Sequence, residues 1–243
     1  MLDSRSSRSE IRSAKPAIAV FAIGAIEQHS AHLPLATDWL WARHVGRSVA
    51  ERLGALLVPE LPFSMSQCHG PMAGTVWLKP HTLAAVVRDV VDSLYAQGLR
   101  KILILNGHGG NFVLEAEIRR LNLNSPDLIV LMPPLFEPFP DDPVAWDAGP
   151  DVHAEEAETS HQLYINPEHV KDERIDYVPR VGREYLDYAT MGFISQAGVW
   201  GHPSQGTAEK GEAYVASRVK RMVEWAREAL ANVEALRARP GEA

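Results

Sequence analysis

Short apolar runs that alternate with helical patterns are the feature that most constrains how this chain can fold. Four runs are apolar on both faces and short enough for buried strands, namely residues 17–24 (AIAVFAIG), 55–58, 101–105 (KILIL) and 127–132 (DLIVLM). Apolar residues recur at helical spacing over 38–53, 80–97 and 112–123. This alternation predicts a mainly parallel sheet that is covered by helices on both faces.

The length of 243 residues fits one α/β domain, which we expect over residues 16–236. Residues 1–15 are rich in serine and arginine and are predicted to be a disordered leader. A long helix is predicted from Thr207 to about residue 236, and residues 237–243 would form a tail. Arginines ahead of the run 17–24 also outline a secretory signal, but we favour a buried first strand and a cytoplasmic protein.

Composition excludes several classes of protein. The 24 basic and 31 acidic residues give a net charge of −7, and no block of Lys and Arg stands out. Nucleic acid is therefore not expected as a partner, because its phosphates require a basic surface. No membrane partner is expected either, because no apolar run approaches the roughly 18 residues that a membrane helix needs. Cys68 is the single cysteine, so a metal would have to be held by His, Asp and Glu.

The stretch at 27–38 (EQHSAHLPLATD) directly follows the first apolar run and concentrates metal-binding groups. Glu27 and His29 are two positions apart, so in an extended segment their side chains point to the same side. Asp38 follows a proline-containing turn and precedes helical sequence, where aspartate is a good N-cap. Carboxylates and neutral imidazoles are the usual oxygen and nitrogen ligands of zinc and of other divalent transition metals. This stretch therefore predicts one half of a metal site.

A second polar stretch, at 106–111 (NGHGGN), follows the apolar run 101–105. Ligands of parallel sheets bind outside the carboxyl ends of the strands, which is where both polar stretches would lie. The glycines allow a tight turn and present His108 as a candidate ligand. A phosphate-binding loop is the competing interpretation, and it is disfavoured because neither G-x-G-x-x-G nor a G-K-[ST] ending is present.

Two long loops, at 59–79 and 133–152, contain many prolines, and long loops inside compact domains are usually functional. After the second loop, His153 and Glu158 stand five positions apart at a predicted helix start. Glu158 is the candidate inward-facing group, whereas His153 could be an ordinary loop histidine or a proton-transfer group. Glu155 could be a first-turn acid that the helix dipole favours, or a charge that selects a cationic substrate.

Taken in order, these motifs carry a family resemblance. They are E-Q-H-x-x-H-L-P-L-x-T-D at 27–38, S-x-x-H with G-T at 66–75, N-G-H-G-G-N at 106–111, H-A-x-x-x-E-T-S at 153–160 and T-A-E-K-G at 207–211. The same motifs occur in the same order in the creatininase (creatinine amidohydrolase) family, which the chain resembles from about residue 17 to 235. The resemblance implies a three-layer α/β/α sandwich and a hydrolytic site with two metal ions.

The resemblance also implies which residues bind those ions. Glu27 and His108 match ligands of one metal, and His29 matches a ligand of the other. Asp38 matches the carboxylate that bridges both metals. Zinc is the expected metal, with manganese or iron as alternatives.

Several positions depart from the family pattern. Creatininase itself has a glutamate where this chain has Gly110, so Glu158 is expected to complete the second metal site instead. Ser30 and Ala31 stand where the family usually has Gly and Pro, and His202 stands where an Asp is common. These changes suggest an altered pocket.

In the chemistry that the resemblance implies, His153 handles the proton of the scissile amide and Glu158 takes part beside it. Two cations would lower the pKa of an attacking water molecule, and backbone N–H groups near Gly109 and Gly110 would steady the oxyanion. Tryptophans in the loops could contact substrate, although packing is their more common fate. The candidate substrate-binding residues are Ser66, His69, Gly109, Gly110 and Trp146.

The expected function is hydrolysis of a C–N bond in a small-molecule amide or cyclic amide. Two alternatives stay open. The family also includes a peptidase that trims the mycofactocin precursor peptide, and a homologue could bind a small molecule without turnover. Members of the family commonly form hexamers, so a homo-oligomer is expected from the resemblance.

Overall fold

A computed structural model describes residues 1–134, Val144, Trp146 and 151–239. Within them a single sheet is built from the strands β1 (Ile18–Ile23), β2 (Leu56–Leu61), β3 (Lys101–Asn106) and β4 (Ile129–Leu131). The four strands run parallel in the order β2-β1-β3-β4, so β1 and β3 form the centre of the sheet. The prediction of a parallel sheet is confirmed.

Seven α-helices occur among the described residues, joined in places by short 3₁₀ turns. The helices are α1 (Arg8–Ala14), α2 (Thr37–Leu53), α3 (Pro80–Ala96), α4 (Val113–Asn124), α5 (Glu156–Ile165), α6 (Met191–Ile194) and α7 (Ala208–Arg237). The 3₁₀ turns are Gln67–His69, Pro167–His169, Arg183–Asp187 and Pro203–Gln205. The helices predicted from apolar spacing correspond to α2, α3, α4 and α7 within one or two residues at each end.

Helices cover both faces of the sheet, because successive residues of a strand point to opposite sides. Val20 and Ala22 of β1 pack in one apolar core with α2 and α7. Ala19, Phe21 and Ile23 of the same strand pack in a second core with α3 and α4. The expected three-layer α/β/α sandwich is therefore confirmed.

The structure differs from the expectation of a disordered leader over residues 1–15. Ser7 and Glu10 form a capping box at the start of α1, in which each side chain accepts a hydrogen bond from the other residue's backbone N–H. The backbone N–H of Leu57 donates to the carbonyl of Leu2 at 2.9 Å, which ties the leader to the edge strand β2. The S-x-x-E signature of this box is visible in the sequence.

Two further local predictions are wrong. Helix α2 begins at Thr37 with Ala36 in the N-cap position and no side-chain cap, so Asp38 is not the cap. The Asp38 side chain is instead buried at the carboxyl edge of the sheet, where it contacts two histidines. Strand β2 also continues through Pro59 to Leu61, which the sheet tolerates because β2 is an edge strand.

The predicted loop 133–152 lies mostly outside the described residues. The predicted tail is only partly described, because α7 ends at Arg237 and residues 240–243 are not among those described. Among the described helices, none combines the length and apolarity that crossing a bilayer would require.

Helix α5 is held against α7 by the T-A-E-K-G motif. Thr207 caps α7 as predicted, since its side chain accepts a hydrogen bond from the backbone N–H of Lys210 at 3.2 Å. A Cβ atom at Gly211 would lie 2.0 Å from the carbonyl oxygen of Ser160, so glycine lets the two helices approach closely. The Lys210 ammonium also pairs with the fully buried carboxylate of Glu156. The motif therefore positions α5, which carries part of the candidate site.

Candidate metal centre

The two polar stretches meet at the carboxyl edge of the sheet, as the strand order requires. Ile23, the last residue of β1, pairs with the last residue of β3, so the segments that leave both strands start side by side. Glu27 and His29 follow β1, His108 follows β3, and all three side chains are buried. The first turn of α2 brings Asp38 to the same place.

The Asp38 carboxylate lies between two imidazoles. Its Oδ1 is 3.3 Å from Nε2 of His29, and its Oδ2 is 2.9 Å from Nδ1 of His108. Burial opposes the charge of Asp38, but His29 and His108 hold the pKa of this carboxyl well below its usual range. The carboxylate thus directs one oxygen toward each of two imidazole nitrogens, and all of these atoms are of the kinds that bind divalent metals.

His29 directs Nε2 toward two carboxylates. Its Nδ1–H donates to the backbone carbonyl of Glu27 at 3.0 Å, so Nε2 is the nitrogen that is available to a metal. Nε2 is buried without a hydrogen-bond partner and lies 3.5 Å from Oε2 of Glu158, besides its contact with Asp38. Burial lowers the pKa of His29, but Glu158 and Asp38 raise it well above its ordinary value. This point of the site therefore favours a positive charge.

Glu27 supplies a second polar atom without a partner. Its Oε2 is buried, makes no hydrogen bond to the described residues and lies 3.4 Å from Nε2 of His108. Its Oε1 lies 3.5 Å from Nε2 of His69 and 3.6 Å from Nδ1 of His153. Burial raises the pKa of Glu27 to about 7. A buried carboxylate oxygen without a hydrogen bond is costly, and a bound cation would remove that cost.

His108 is oriented by the backbone. Its Nε2–H donates to the carbonyl of Met65 at 2.8 Å, which leaves Nδ1 directed at Asp38. Burial lowers the pKa of His108, but Glu27 and Asp38 raise it to about 9. Gly110 makes room for this orientation, because a Cβ atom there would lie 2.4 Å from Nε2 of His108.

The two glutamates at the start of α5 have different environments. Glu155 is the N-cap of α5, and its carboxylate accepts hydrogen bonds from the backbone N–H groups of Ala157 and Glu158. Burial and the charge of Glu158 raise the pKa of Glu155 to about 8. Glu158 instead directs Oε2 toward His29 and accepts a hydrogen bond from the N–H of Ala154 at 2.6 Å. Glu155 therefore caps the helix, whereas Glu158 faces the other candidate ligands.

Overlapping sets of side chains could each hold a cation, with donor atoms within 4.8 Å of one another. Among the described residues these sets are Glu27, His29 and Asp38; Glu27, His69 and His153; and His29, His153 and Glu158. The donors are the carboxylates and imidazoles that zinc and similar ions prefer. Together with the unpartnered atoms of Glu27 and His29, they fit a divalent metal. His69, predicted as a substrate contact, thus lies inside a potential ligand set.

A cavity of about 1160 Å³ opens onto these residues. Of the predicted substrate contacts, His69, Gly109, Gly110 and Trp146 line it, whereas Ser66 is buried beside the Glu27 carboxylate behind the wall. The Trp146 ring packs edge-on against Tyr214, with ring centroids 5.2 Å apart. The cavity is also lined by Glu27, Asp38, His108, His153, Glu155 and Glu158.

Two residues of the site were not identified from the sequence. His161 is buried on α5, lines the cavity, and has its pKa lowered to about 4 by burial. His161 follows Glu158 by three residues, so the two lie on one face of the helix. Helical spacing from Glu158 therefore predicts that His161 faces the site. Gln28 contacts His69 and His153 through its side-chain amide. The sequence places Gln28 in a motif, but no spacing signal predicts those contacts.

Comparisons with known proteins agree with this fold. The model of the creatininase family, described as creatinine amidohydrolase, matches residues 4–226. The chain therefore belongs to the creatininase family. It is 30% identical over 237 residues to a mycofactocin precursor peptide peptidase of Mycobacterium ulcerans (strain Agy99), covering 88% of this chain and 86% of that protein.

Relatives with a different named activity match as well. The chain is 30% identical over 179 residues to a creatinine amidohydrolase of Pseudomonas putida, covering 65% of this chain and 68% of that protein. A solved tryptophan-to-alanine mutant of creatininase has a TM-score of 0.80 and 25% identity, covering 94% of this chain and 98% of that chain. The family contains hydrolases of at least two named substrates, so membership supports a hydrolase but does not select its substrate.

Proposed function

We propose that this chain hydrolyses a C–N bond of an amide or cyclic amide at a site that holds two divalent metal ions. The observation that carries the proposal is the Asp38 carboxylate, whose two oxygens face nitrogen atoms of His29 and His108 at 3.3 and 2.9 Å. Unpartnered buried atoms on Glu27 and His29 add support, because a protein rarely buries such atoms without a ligand. Zinc is the first candidate, with manganese or iron as alternatives.

In this proposal the ligands divide into two groups that share one carboxylate. Glu27 and His108 would hold one ion, His29 and Glu158 the other, and Asp38 would contact both. Bound there, two cations would polarise an amide carbonyl and acidify a water molecule. Glu158 would thereby take the place of the glutamate that creatininase has at the position of Gly110.

The remaining residues would bind the substrate and move protons. Burial and His29 lower the pKa of His153 to about 4, so this histidine is neutral at pH 7 and can take up a proton. It could then release that proton to the departing nitrogen. The backbone N–H groups of Gly109 and Gly110 make no hydrogen bond to other described residues, and both residues line the cavity, which supports a role in steadying the oxyanion.

A peptide substrate is the second candidate. Pockets for small ligands usually measure about 300–1000 Å³, and the cavity, at about 1160 Å³, exceeds that range. The match to a mycofactocin precursor peptide peptidase extends over 88% of this chain. A binding protein without turnover is disfavoured, because each of the proposed ligands is present and buried or partly buried.

We also propose that the chain acts as a cytoplasmic homo-oligomer. Large side chains such as Tyr188 and Phe193 are 83% and 86% exposed, and a second copy of the chain would cover such apolar surface. The single cysteine gives no internal disulfide, which agrees with a reducing compartment.

Hydrolysis by the metal-loaded protein tests the proposed function. Cyclic amides, formamides, ureas and short peptides are incubated with the chain after zinc, manganese or iron loading, and Asp38→Ala serves as the control. The proposal expects hydrolysis of at least one class that a chelator abolishes and metal restores. Absence of metal-restorable hydrolysis, or full activity of Asp38→Ala, would contradict it.

A further inference from the structure

The carboxamide of Gln28 has a fixed orientation. Its Oε1 accepts a hydrogen bond from the backbone N–H of Ser30 at 3.0 Å, so the amide nitrogen must point the other way. Gly198 makes room for this oxygen, because a Cβ atom there would lie 1.9 Å from it. The backbone N–H of Gln28 is itself tied to Oγ1 of Thr75 at 3.1 Å, and the side chain is only 6% exposed.

The amide nitrogen of Gln28 determines which nitrogen of His69 carries the proton. It lies 2.9 Å from Nδ1 of His69, and an amide NH₂ can only donate. Nδ1 must therefore accept, and the proton of the neutral ring resides on Nε2. That N–H points at Oε1 of Glu27, 3.5 Å away. A protonated nitrogen cannot ligate a metal, so His69 is excluded from the ligand set that its position alone would suggest.

His153 also faces Gln28, but through contacts of opposite kinds. Its Nε2 lies 2.7 Å from the backbone carbonyl of Gln28, which accepts, and 3.0 Å from the side-chain amide nitrogen, which donates. These two contacts require opposite protonation of Nε2, so they do not fix the tautomer of His153. The rings of His69 and His153 are tilted by 45°, with centroids 4.3 Å apart.

We propose that Gln28 is a positioning residue that fixes the tautomer of His69. Its carboxamide keeps His69 as an N–H donor at Nε2 that does not bind metal. The tautomer follows from the hydrogen bonds alone, whereas its effect on turnover rests on the proposed function.

Nitrogen-15 NMR of the zinc-loaded full chain, labelled at histidine, tests the tautomer of His69 directly. The wild-type spectrum should show the His69 proton on Nε2, with His69→Gln used to assign the signal. Gln28→Glu replaces the donor by a carboxylate that only accepts, so the proton of His69 should move to Nδ1. Gln67→Glu adds the same charge at the cavity wall and should leave the tautomer unchanged. A wild-type proton on Nδ1, or an unchanged tautomer in Gln28→Glu, would overturn the proposal.

Metal content and kinetics give independent readouts. His69→Gln should retain the zinc content of the wild type, whereas His29→Gln should lose one ion. Loss of zinc in His69→Gln would overturn the proposal. For a hydrolysed substrate, Gln28→Glu should lower kcat at least tenfold and change KM less than threefold, and a kcat within twofold of the wild type would contradict it. The NMR and zinc measurements need no substrate, so they decide this proposal even if no amide is hydrolysed.

Discussion

A Cβ atom at Gly110 would lie 2.4 Å from Nε2 of His108. It would also lie 2.5 Å from the carbonyl oxygen of Met65, which accepts the hydrogen bond of that imidazole. The side chain missing at position 110 is thus what allows His108 to donate to the backbone and to aim Nδ1 at Asp38. A glutamate at position 110 is therefore incompatible with this orientation of His108.

Gly110→Ala should disrupt this geometry. The added methyl group would push His108 away from Met65, and we expect the free energy of unfolding to fall by about 1–3 kcal/mol, the usual cost of overpacking. Urea unfolding and zinc titration would measure the change, and zinc affinity should fall as well. Gly192→Ala is the matched control, since the nearest atom to its added Cβ is 3.7 Å away. Equal stability and zinc affinity in Gly110→Ala and the wild type would refute this explanation.

Glu158→Gln and Glu155→Gln, at the start of α5, are a matched pair of variants that test which glutamate binds metal. Glu158→Gln should weaken the binding of one of two metal ions by at least about tenfold, since it removes a charged ligand next to His29. Glu155→Gln should retain both ions, because Glu155 caps the helix and a glutamine oxygen can still accept a hydrogen bond. Calorimetric zinc titration distinguishes them. The assignment fails if Glu155→Gln loses an ion and Glu158→Gln does not.

His32 should make stability depend on pH. Its side chain is fully buried with Nε2 3.0 Å from Oγ1 of Thr159, and burial, with a smaller effect of Arg174, lowers its pKa to about 4. Because the unfolded value is about 6.5, the unfolded chain binds more protons between pH 6.5 and 4. The contribution of neutral, buried His32 to the free energy of unfolding is therefore complete above pH 6.5. It is lost as the pH falls from 6.5 to 4.

His32→Gln removes this titration. Between pH 7.5 and 5, the free energy of unfolding should fall by about 2 kcal/mol more in the wild type than in His32→Gln, as linkage between the two pKa values requires. Urea unfolding curves of both proteins at the two pH values provide the comparison. An identical pH dependence in both proteins would show that His32 does not have the proposed effect.

Gly211→Ala tests whether close packing of α5 and α7 or helix propensity has the larger effect on stability. Alanine is the better helix former by about 1 kcal/mol, so an exposed glycine in α7 would gain stability from this change. At Gly211 the new Cβ would lie 2.0 Å from the Ser160 carbonyl oxygen, so we expect a net loss of about 1–3 kcal/mol. Thermal or urea unfolding measures the sign, and a gain in stability would contradict the close contact of α5 and α7.

The sequence predicts most of the fold because the signals are local. Apolar runs such as 17–24 and 101–105 mark β1 and β3, and strand order then brings the polar segments behind them to one edge. Glu27 and His108 are thereby predicted to approach each other before any distance is known. The polar composition of residues 1–15 favours disorder, whereas the capping box of Ser7 and Glu10 stabilises the first turn of α1.

Other features of the site depend on tertiary geometry that no spacing reveals. Asp38 matches the N-cap preference of aspartate, but the approach of two histidines directs its side chain into the site instead. The sequence suggests Glu155 as a first-turn acid or as a charge near the substrate, whereas its hydrogen bonds to Ala157 and Glu158 make it the N-cap of α5. The tautomer of His69 depends on a contact with Gln28, which lies 41 positions away in the sequence.

The number of zinc ions bound per chain tests the central claim most directly. In the wild type, metal analysis after zinc loading and desalting should find two ions, because the Asp38 carboxylate is proposed to contact both. Asp38→Asn should retain at most one ion and lose hydrolysis, whereas Asp89→Asn, an exposed position on α3, should retain two. Two zinc ions bound to Asp38→Asn with wild-type affinity would contradict the account.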